Sequence, residues 1–357
     1  MKATIALIAV AALAASCKKK SEASHPVQNA APMTADKGSA APPPPAPKPP
    51  TADDMAKRFH DCWTDWAATK WDDFKSCYAN DAASEAPGSG MPAMTGSTAI
   101  VDAMKQYRAA SPDEKAQSQL LLVSGKKIVA VTLVSGKQSG PLKTATGNLA
   151  ATNKPFGFYL GQVLALDDTG KVTHEADYFD MATMLGQLQP MKDHPVRAAS
   201  DKLAMPEQVA LAHDDAKEKA NLVAFQKLVD AFNKHDVKTF GELIADDATW
   251  SEQAMAKDET KKELVTNLPQ LWKSFSDLKF EVADSWAAGD YVAATETFAG
   301  TNDGDLPMMH AKKTGKKVSL PFLAIHKLDG GKVKATWIFF QGGGFASQLG
   351  LDKVTKK

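Results

Sequence analysis

Three acidic residues lie close together near the middle of the chain, in the segment HEADYFD at residues 174–180. Side chains of a β-strand alternate between its two faces, so Glu175 and Asp177 share a face with Phe179. If that face points into an apolar cavity, desolvation and like charge raise the carboxyl pKa values, which suits a general acid or base. If it points to solvent at a frayed strand end, the acids are ordinary surface charges. The candidate catalytic residues are Asp177, Glu175 and Asp180.

The chain contains one pattern twice, and only the first copy keeps these acids. Residues 170–189 and 331–350 both begin with Gly-Lys-Val and carry Gln-Leu near their ends. In this alignment Ile338 stands opposite Asp177, and Gln341 stands opposite Asp180. Any chemistry of this type is therefore expected in the first copy.

Each copy begins with helices and continues with strands. Apolar residues recur at i, i+3, i+4 and i+7 from Phe59 and again from Phe225, the stripe of an amphipathic helix. Strand-like segments joined by Gly-Lys and Asp-Gly turns follow in both copies, which favours antiparallel pairing. Helices followed by a run of strands indicate an α+β fold.

The pattern of each copy resembles the SnoaL-like polyketide cyclase, or ester cyclase, group of the nuclear-transport-factor-2-like superfamily, and the resemblance covers nearly all of both copies. The residues that carry the resemblance include Gly170-Lys171-Val172, Asp177, Asp180 and Gln187-Leu188 in the first copy, and Gly289-Asp290-Tyr291-Val292, Asp329-Gly330-Gly331-Lys332-Val333, Trp337 and Gln348-Leu349-Gly350 in the second. The resemblance implies two tandem cone-shaped domains, each with a curved antiparallel sheet wrapped around N-terminal helices and an apolar pocket.

In that family the last strand reads roughly Glu-His-Trp-Asp-x-x-Asp, and the resemblance implies that the Asp after Trp acts as acid or base in aldol ring closure. Asp177 and Asp180 match this pattern, but Glu175 stands at the His position and Ala176 at the Trp position. We therefore expect a pocket that binds a small apolar ligand or a partner without catalysis. The alternative is a cyclase- or isomerase-type enzyme that uses Asp177.

The pocket is expected to be lined by aromatic residues and to measure roughly 300–1,000 Å³. Its candidate lining residues are Trp63, Trp66, Tyr159, Phe179, Trp337 and Phe340. The sequence carries no G-x-S-x-G, phosphate-binding Gly-Lys-Ser/Thr or H-E-x-x-H motif. We accordingly expect no cofactor and no metal.

The N-terminus has the layout of a secretory signal, with Lys2, an apolar run from Ala3 to Leu13, and small residues before Cys17. The ending Ala-Ala-Ser-Cys resembles a bacterial lipobox, which implies cleavage before Cys17 and its lipidation; an incidental Cys after a plain signal is the alternative. These features predict a lipid-anchored protein of the bacterial cell envelope, on the outer membrane facing the periplasm. A small apolar molecule or an envelope protein is the expected partner.

The remaining two cysteines, Cys62 and Cys77, fall on consecutive helices at positions that are Leu228 and Leu243 in the second copy. In an exported protein such a pair normally closes into a disulfide. The alternative is two small buried hydrophobic side chains that never bond.

Composition and linkers complete the organisation. The formal net charge of zero argues against a nucleic-acid partner, and the oligomeric state is open. Pro- and Ala-rich composition before residue 52 predicts an unfolded spacer. The expected boundaries are 1–16 for the signal peptide, 17–51 for the anchor and linker, 52–190 for the first domain, 191–204 for a second linker, 205–352 for the second domain and 353–357 for a tail.

Overall fold

The computed structural model describes residues 50–144, 147–189 and 195–351. The predicted signal peptide, the predicted lipidation site at Cys17 and nearly all of the Pro-rich spacer therefore lie outside the described residues. Within the described part, no helix has the length and apolar character needed to span a bilayer.

The first domain contains the following elements: α1 (Ala52–Ala67), α2 (Trp71–Ser76), β1 (Tyr78–Glu85), β2 (Met94–Thr95), α3 (Ser97–Ala110), β3 (Lys115–Ser124), β4 (Lys127–Lys137), β5 (Leu142–Thr144), β6 (Gly147–Leu149), β7 (Pro155–Leu166), β8 (Val172–Tyr178) and α4 (Met181–Leu188). Strand β9 (Gln208–Leu211) follows the linker. The second domain contains α5 (Ala216–Asn233), α6 (Val237–Glu242), β10 (Ile244–Glu252), β11 (Glu259–Thr260), α7 (Lys261–Ser274), β12 (Lys279–Ala288), β13 (Tyr291–Thr301), β14 (Lys317–Asp329), β15 (Lys332–Phe339) and α8 (Gly342–Leu349). The architecture is α+β, with one large curved sheet in each half and a small two-stranded sheet of β5 and β6 in the first.

The first helix of each domain begins with the same local device. Thr51 accepts a hydrogen bond from the backbone N–H of Asp54, whose carboxylate accepts one from the Thr51 N–H. Asp215 and Glu218 form the same capping box at α5. Such a box satisfies backbone donors that have no acceptor within the helix and so fixes where the helix starts.

The two sheets have the same core topology. Their strand orders are β2-β1-β8-β7-β4-β3-β9 and β11-β10-β15-β14-β13-β12. The long hairpins are antiparallel as predicted, but β1 runs parallel to β8 and β10 runs parallel to β15. Ser84 lies opposite Glu175 and Trp250 lies opposite Thr336, so the strand registers make Glu175 and Thr336 equivalent positions.

The two sheets pack against each other through their outer faces. A buried cluster there contains Leu120, Leu122, Val129 and Val131 from the first domain with Tyr291, Ala293, Leu323, Ile325 and Phe339 from the second. A Cβ atom on Gly161 would lie 2.8 Å from the Phe339 ring, so glycine permits the close approach of the sheets. Residues 208–211 were assigned to the second domain, but β9 pairs with β3 and extends the first sheet.

Candidate active site in the first domain

A cavity of about 1240 Å³ lies between the helices and the inner face of the first sheet. Its wall is mainly aromatic and aliphatic, and it is larger than the volume typical of small-molecule sites. The matching space in the second domain measures about 20 Å³. Aromatic side chains fill that space: Phe225, Phe232, Phe240, Trp250, Phe280 and Phe322. Of the two copies, the first has room for a ligand in the interior of its cone.

Glu175 and Asp177 both line this cavity, because they alternate along β8 on its inner face. Glu175 is 4% exposed, and the Tyr78 hydroxyl donates a hydrogen bond of 3.0 Å to its Oε2 atom. The Gln162 amide donates to both carboxyl groups, at 3.0 Å to Glu175 and 3.1 Å to Asp177. Thr132 donates to the other end of the same amide at 3.3 Å, which fixes its orientation. The two carboxyl groups therefore form one hydrogen-bonded unit.

Burial raises the pKa of both carboxyl groups, but the two environments differ. For Asp177 the charge of Glu175 adds to burial, and the pKa stands well above its usual range. For Glu175 the hydrogen bonds from Tyr78 and Gln162 stabilise the charged form and oppose burial. A proton held by the pair accordingly resides on Asp177, whose half-buried side chain faces the cavity.

Asp180 is placed elsewhere. Its Oδ2 atom accepts hydrogen bonds from the backbone and hydroxyl of Thr183, at 2.9 and 2.8 Å, and so caps α4. Its Oδ1 atom accepts from the Gly342 N–H at 3.0 Å, at the start of α8. The carboxylate joins two helix N-termini from different domains and does not line the cavity, so a catalytic position was the wrong expectation for it.

The candidate lining residues divide into two groups. Trp63, Trp66 and Phe179 line the cavity. Tyr159 and Trp337 instead lie on the outer sheet faces against the domain interface, because they alternate with inward-facing neighbours. Phe340 packs against the core of the second domain. Expecting the last three in the pocket was therefore incorrect.

A disulfide joins Cys62 to Cys77, with Cα atoms 6.1 Å apart, and both residues line the cavity. It fixes α1 to the turn between α2 and β1. Tyr78 follows Cys77 directly, so the cross-link also holds the donor to Glu175 in place.

Sequence reasoning missed Tyr78, Gln162 and Glu114, all of which line the cavity. Gln162 could have been found, because the antiparallel register of β7 and β8 sets it directly opposite Asp177. Tyr78 begins β1, a strand whose polar Asn-Asp sequence gave no strand signal. No comparable local signal points to Glu114.

The second domain forms part of the cavity rim. Gln341, Gly343 and Gly344 at the start of α8 are among the lining residues. A Cβ atom on Gly344 would collide with the backbone oxygen of Gly88, so α8 rests directly on the 86–92 loop of the first domain. The rim is therefore an interdomain structure.

Comparison with known proteins agrees with this architecture. Residues 53–188 match the family model of SnoaL-like polyketide cyclases, and residues 225–336 match that of SnoaL-like domains. No curated protein sequence matches the chain significantly.

Among solved structures, AclR from Streptomyces galilaeus, a candidate hydroxylase, is 22% identical and covers 38% of this chain and 98% of its own, with a TM-score of 0.35. IdmH from Streptomyces antibioticus, a candidate polyketide cyclase, is also 22% identical and covers 36% of this chain and 98% of its own, with a TM-score of 0.33. The family matches show two SnoaL-like domains in tandem, at residues 53–188 and 225–336.

Proposed function

We propose that the first domain is an acid–base enzyme of cyclase or isomerase type that acts on an apolar carbonyl compound, with Asp177 as its general acid. The main support for this proposal is that the Asp177 side chain points into a large apolar cavity. A binding module without catalysis was favoured by the sequence, because the His-Trp pair of the family motif is absent. The position of Asp177 now favours the enzyme.

The hydrogen bonds define the proposed roles. Tyr78 and Gln162 hold Glu175 as the charged partner, and its charge keeps the proton on Asp177. A substrate carbonyl oxygen beside Asp177 receives this proton as a neighbouring C–H proton leaves to a base. The resulting enol either takes up a proton at another carbon, which is isomerisation, or attacks a second carbonyl carbon, which closes a ring. Because burial and the charge of Glu175 raise the pKa of Asp177, its carboxyl group holds a proton more readily than an exposed one, which suits the first transfer.

The second domain has a supporting role in this proposal. Ile338 occupies the position equivalent to Asp177, and aromatic side chains fill the interior around it. It supports the site by covering the outer face of the first sheet and by supplying α8 to the rim.

We further propose that this chemistry takes place in the bacterial cell envelope, on a protein anchored through lipid at Cys17. The apolar N-terminal run and the small residues before Cys17 support this location. The disulfide is compatible with an oxidising compartment. An apolar substrate would also partition to a membrane surface.

The test is the exchange of α-protons of 2-tetralone, a bicyclic ketone, for deuterium in deuterated water, followed by NMR. We expect the protein to accelerate exchange, and Asp177→Asn to lower the enzymatic rate at least about 100-fold, the usual contribution of a positioned acid or base. Asp168→Asn, which alters an exposed carboxyl of the same domain, is the matched control and leaves the rate unchanged. Bound 2-tetralone without accelerated exchange would instead support a binding module.

A further inference from the structure

We propose that Glu114, in the turn between α3 and β3, is the general base of the first-domain cavity. The inference rests on the proposed function, to which it adds the group that removes the carbon-bound proton. Glu114 lines the same cavity as Asp177 and is separated from it by 63 residues of sequence, on a different structural element.

The carboxyl groups of the cavity differ in the number of hydrogen bonds that they accept from the protein. Glu175 accepts hydrogen bonds from Tyr78 and Gln162, and Asp177 accepts one from Gln162. Across residues 50–144, 147–189 and 195–351, no group donates a hydrogen bond to the Glu114 carboxylate. Its lone pairs are thus available to a proton on a ligand, as a base requires.

The groups around Glu114 set its charge. Arg108 and Tyr107 approach it from α3, Asp113 precedes it in the turn, and Asp177 faces Tyr107 from β8. Burial raises the pKa of Glu114 to about 7, the charge of Arg108 opposes this rise and that of Asp113 adds to it. Near neutral pH a large fraction is ionised and still basic, which suits proton abstraction.

The two groups together complete the reaction. The Glu114 carboxylate takes the proton from the carbon next to the carbonyl group, and the C–H electron pair becomes the C=C bond of the enol. The carbonyl π electrons move to oxygen, which takes the proton of Asp177. Return of the Glu114 proton to a different carbon, with return of the enol proton to Asp177, gives the isomer and regenerates both groups.

The test uses 5-nitrobenzisoxazole, an apolar aromatic probe that reports a base alone. A base removes its C3 proton, the N–O bond breaks, and the coloured product 2-cyano-4-nitrophenolate forms without any proton donor. We expect the wild-type rate to rise with pH with a midpoint at about 7. Glu114→Gln is expected to lower it at least about 100-fold, Glu114→Asp to restore part of it, and Asp168→Asn to leave it unchanged.

Several outcomes overturn the inference. The first is that the wild-type protein does not catalyse the elimination, and the second is that Glu114→Gln catalyses it as fast as wild type. The third is that Asp177→Asn loses the elimination while Glu114→Gln keeps it, which would make Asp177 the base. Thermal melting of each variant shows that the fold is retained, and the partial activity of Glu114→Asp excludes a merely structural effect. Ketone exchange that depends on Asp177 would leave the proposed function standing even where the elimination overturns this assignment.

Discussion

We predict that a buried acid in the second domain, Glu296, makes the stability of the protein depend on pH. Glu296 on β13 is 4% exposed and borders the space of about 20 Å³ between aromatic side chains. Its Oε2 atom has no hydrogen-bond partner in the described part of the protein. Burial raises the pKa of Glu296 to about 8. The neighbouring His326 gives no compensating charge, since burial lowers its pKa to about 4.

The sign and size follow from linkage. The folded state holds the Glu296 proton from about pH 8 downward, whereas the unfolded chain releases it near 4.5. The stability that the protonated Glu296 contributes is fully present below about pH 4.5, falls as pH rises, and is lost above about pH 8. Each pH unit in this window is worth about 1.4 kcal/mol, so the full window amounts to roughly 5 kcal/mol.

Urea unfolding of wild type and Glu296→Gln between pH 5 and pH 9 measures the contribution of Glu296 ionisation to the free energy of unfolding. The amide cannot ionise, so between pH 5 and pH 7 the unfolding free energy of the variant should rise by about 3 kcal/mol relative to wild type. Glu281→Gln, on the exposed side of the neighbouring strand β12, is the control and should show a constant difference. A pH-independent difference for Glu296→Gln would refute the reasoning.

Two further predictions concern the cysteines. Reduction of the Cys62–Cys77 disulfide, which closes a loop of 15 residues, should destabilise the first domain by about 3 kcal/mol on the loop-entropy estimate and leave the second domain unchanged; equal effects on the two thermal transitions would contradict this. Cys17→Ser should release the native protein from membranes to the soluble fraction, because an acyl chain contributes about 0.8 kcal/mol per buried CH₂ group. An uncleaved N-terminus in the membrane-bound native protein would count against lipidation.

Local pattern predicted much of this architecture. The apolar stripes from Phe59 and Phe225 do form α1 and α5, and the alignment of the copies agrees with the strand registers. Alternation along β8 also sets Glu175 and Asp177 on one face. These features depend on residues close in sequence, where period and spacing carry the information.

Features that depend on distant residues were not predictable in this way. Strands β1 and β10 are held by parallel pairing with the last long strand of each domain, so their polar sequences gave no signal. In the sequence Asp180 matches a catalytic acid of the family motif. In the structure it accepts a hydrogen bond from the Gly342 N–H at the start of α8, 162 residues away. Trp337 matches the Trp of the family motif, but it packs in the interface between the two sheets and not in a pocket.

In the second copy, Ile338 stands at the position of Asp177 and the interior space is only about 20 Å³, and packing accounts for both features together. A carboxyl at the position of Ile338 would lie among packed aromatic rings, where the charged form loses its hydration and finds no ligand to act on. An apolar side chain there packs against the aromatic residues, and the filled domain also covers the outer face of the first sheet. Glu296 is an acid that the second domain still carries in its filled interior, so its ionisation should lower the stability of that domain. The acids of the first domain instead face a cavity that can hold water or a ligand.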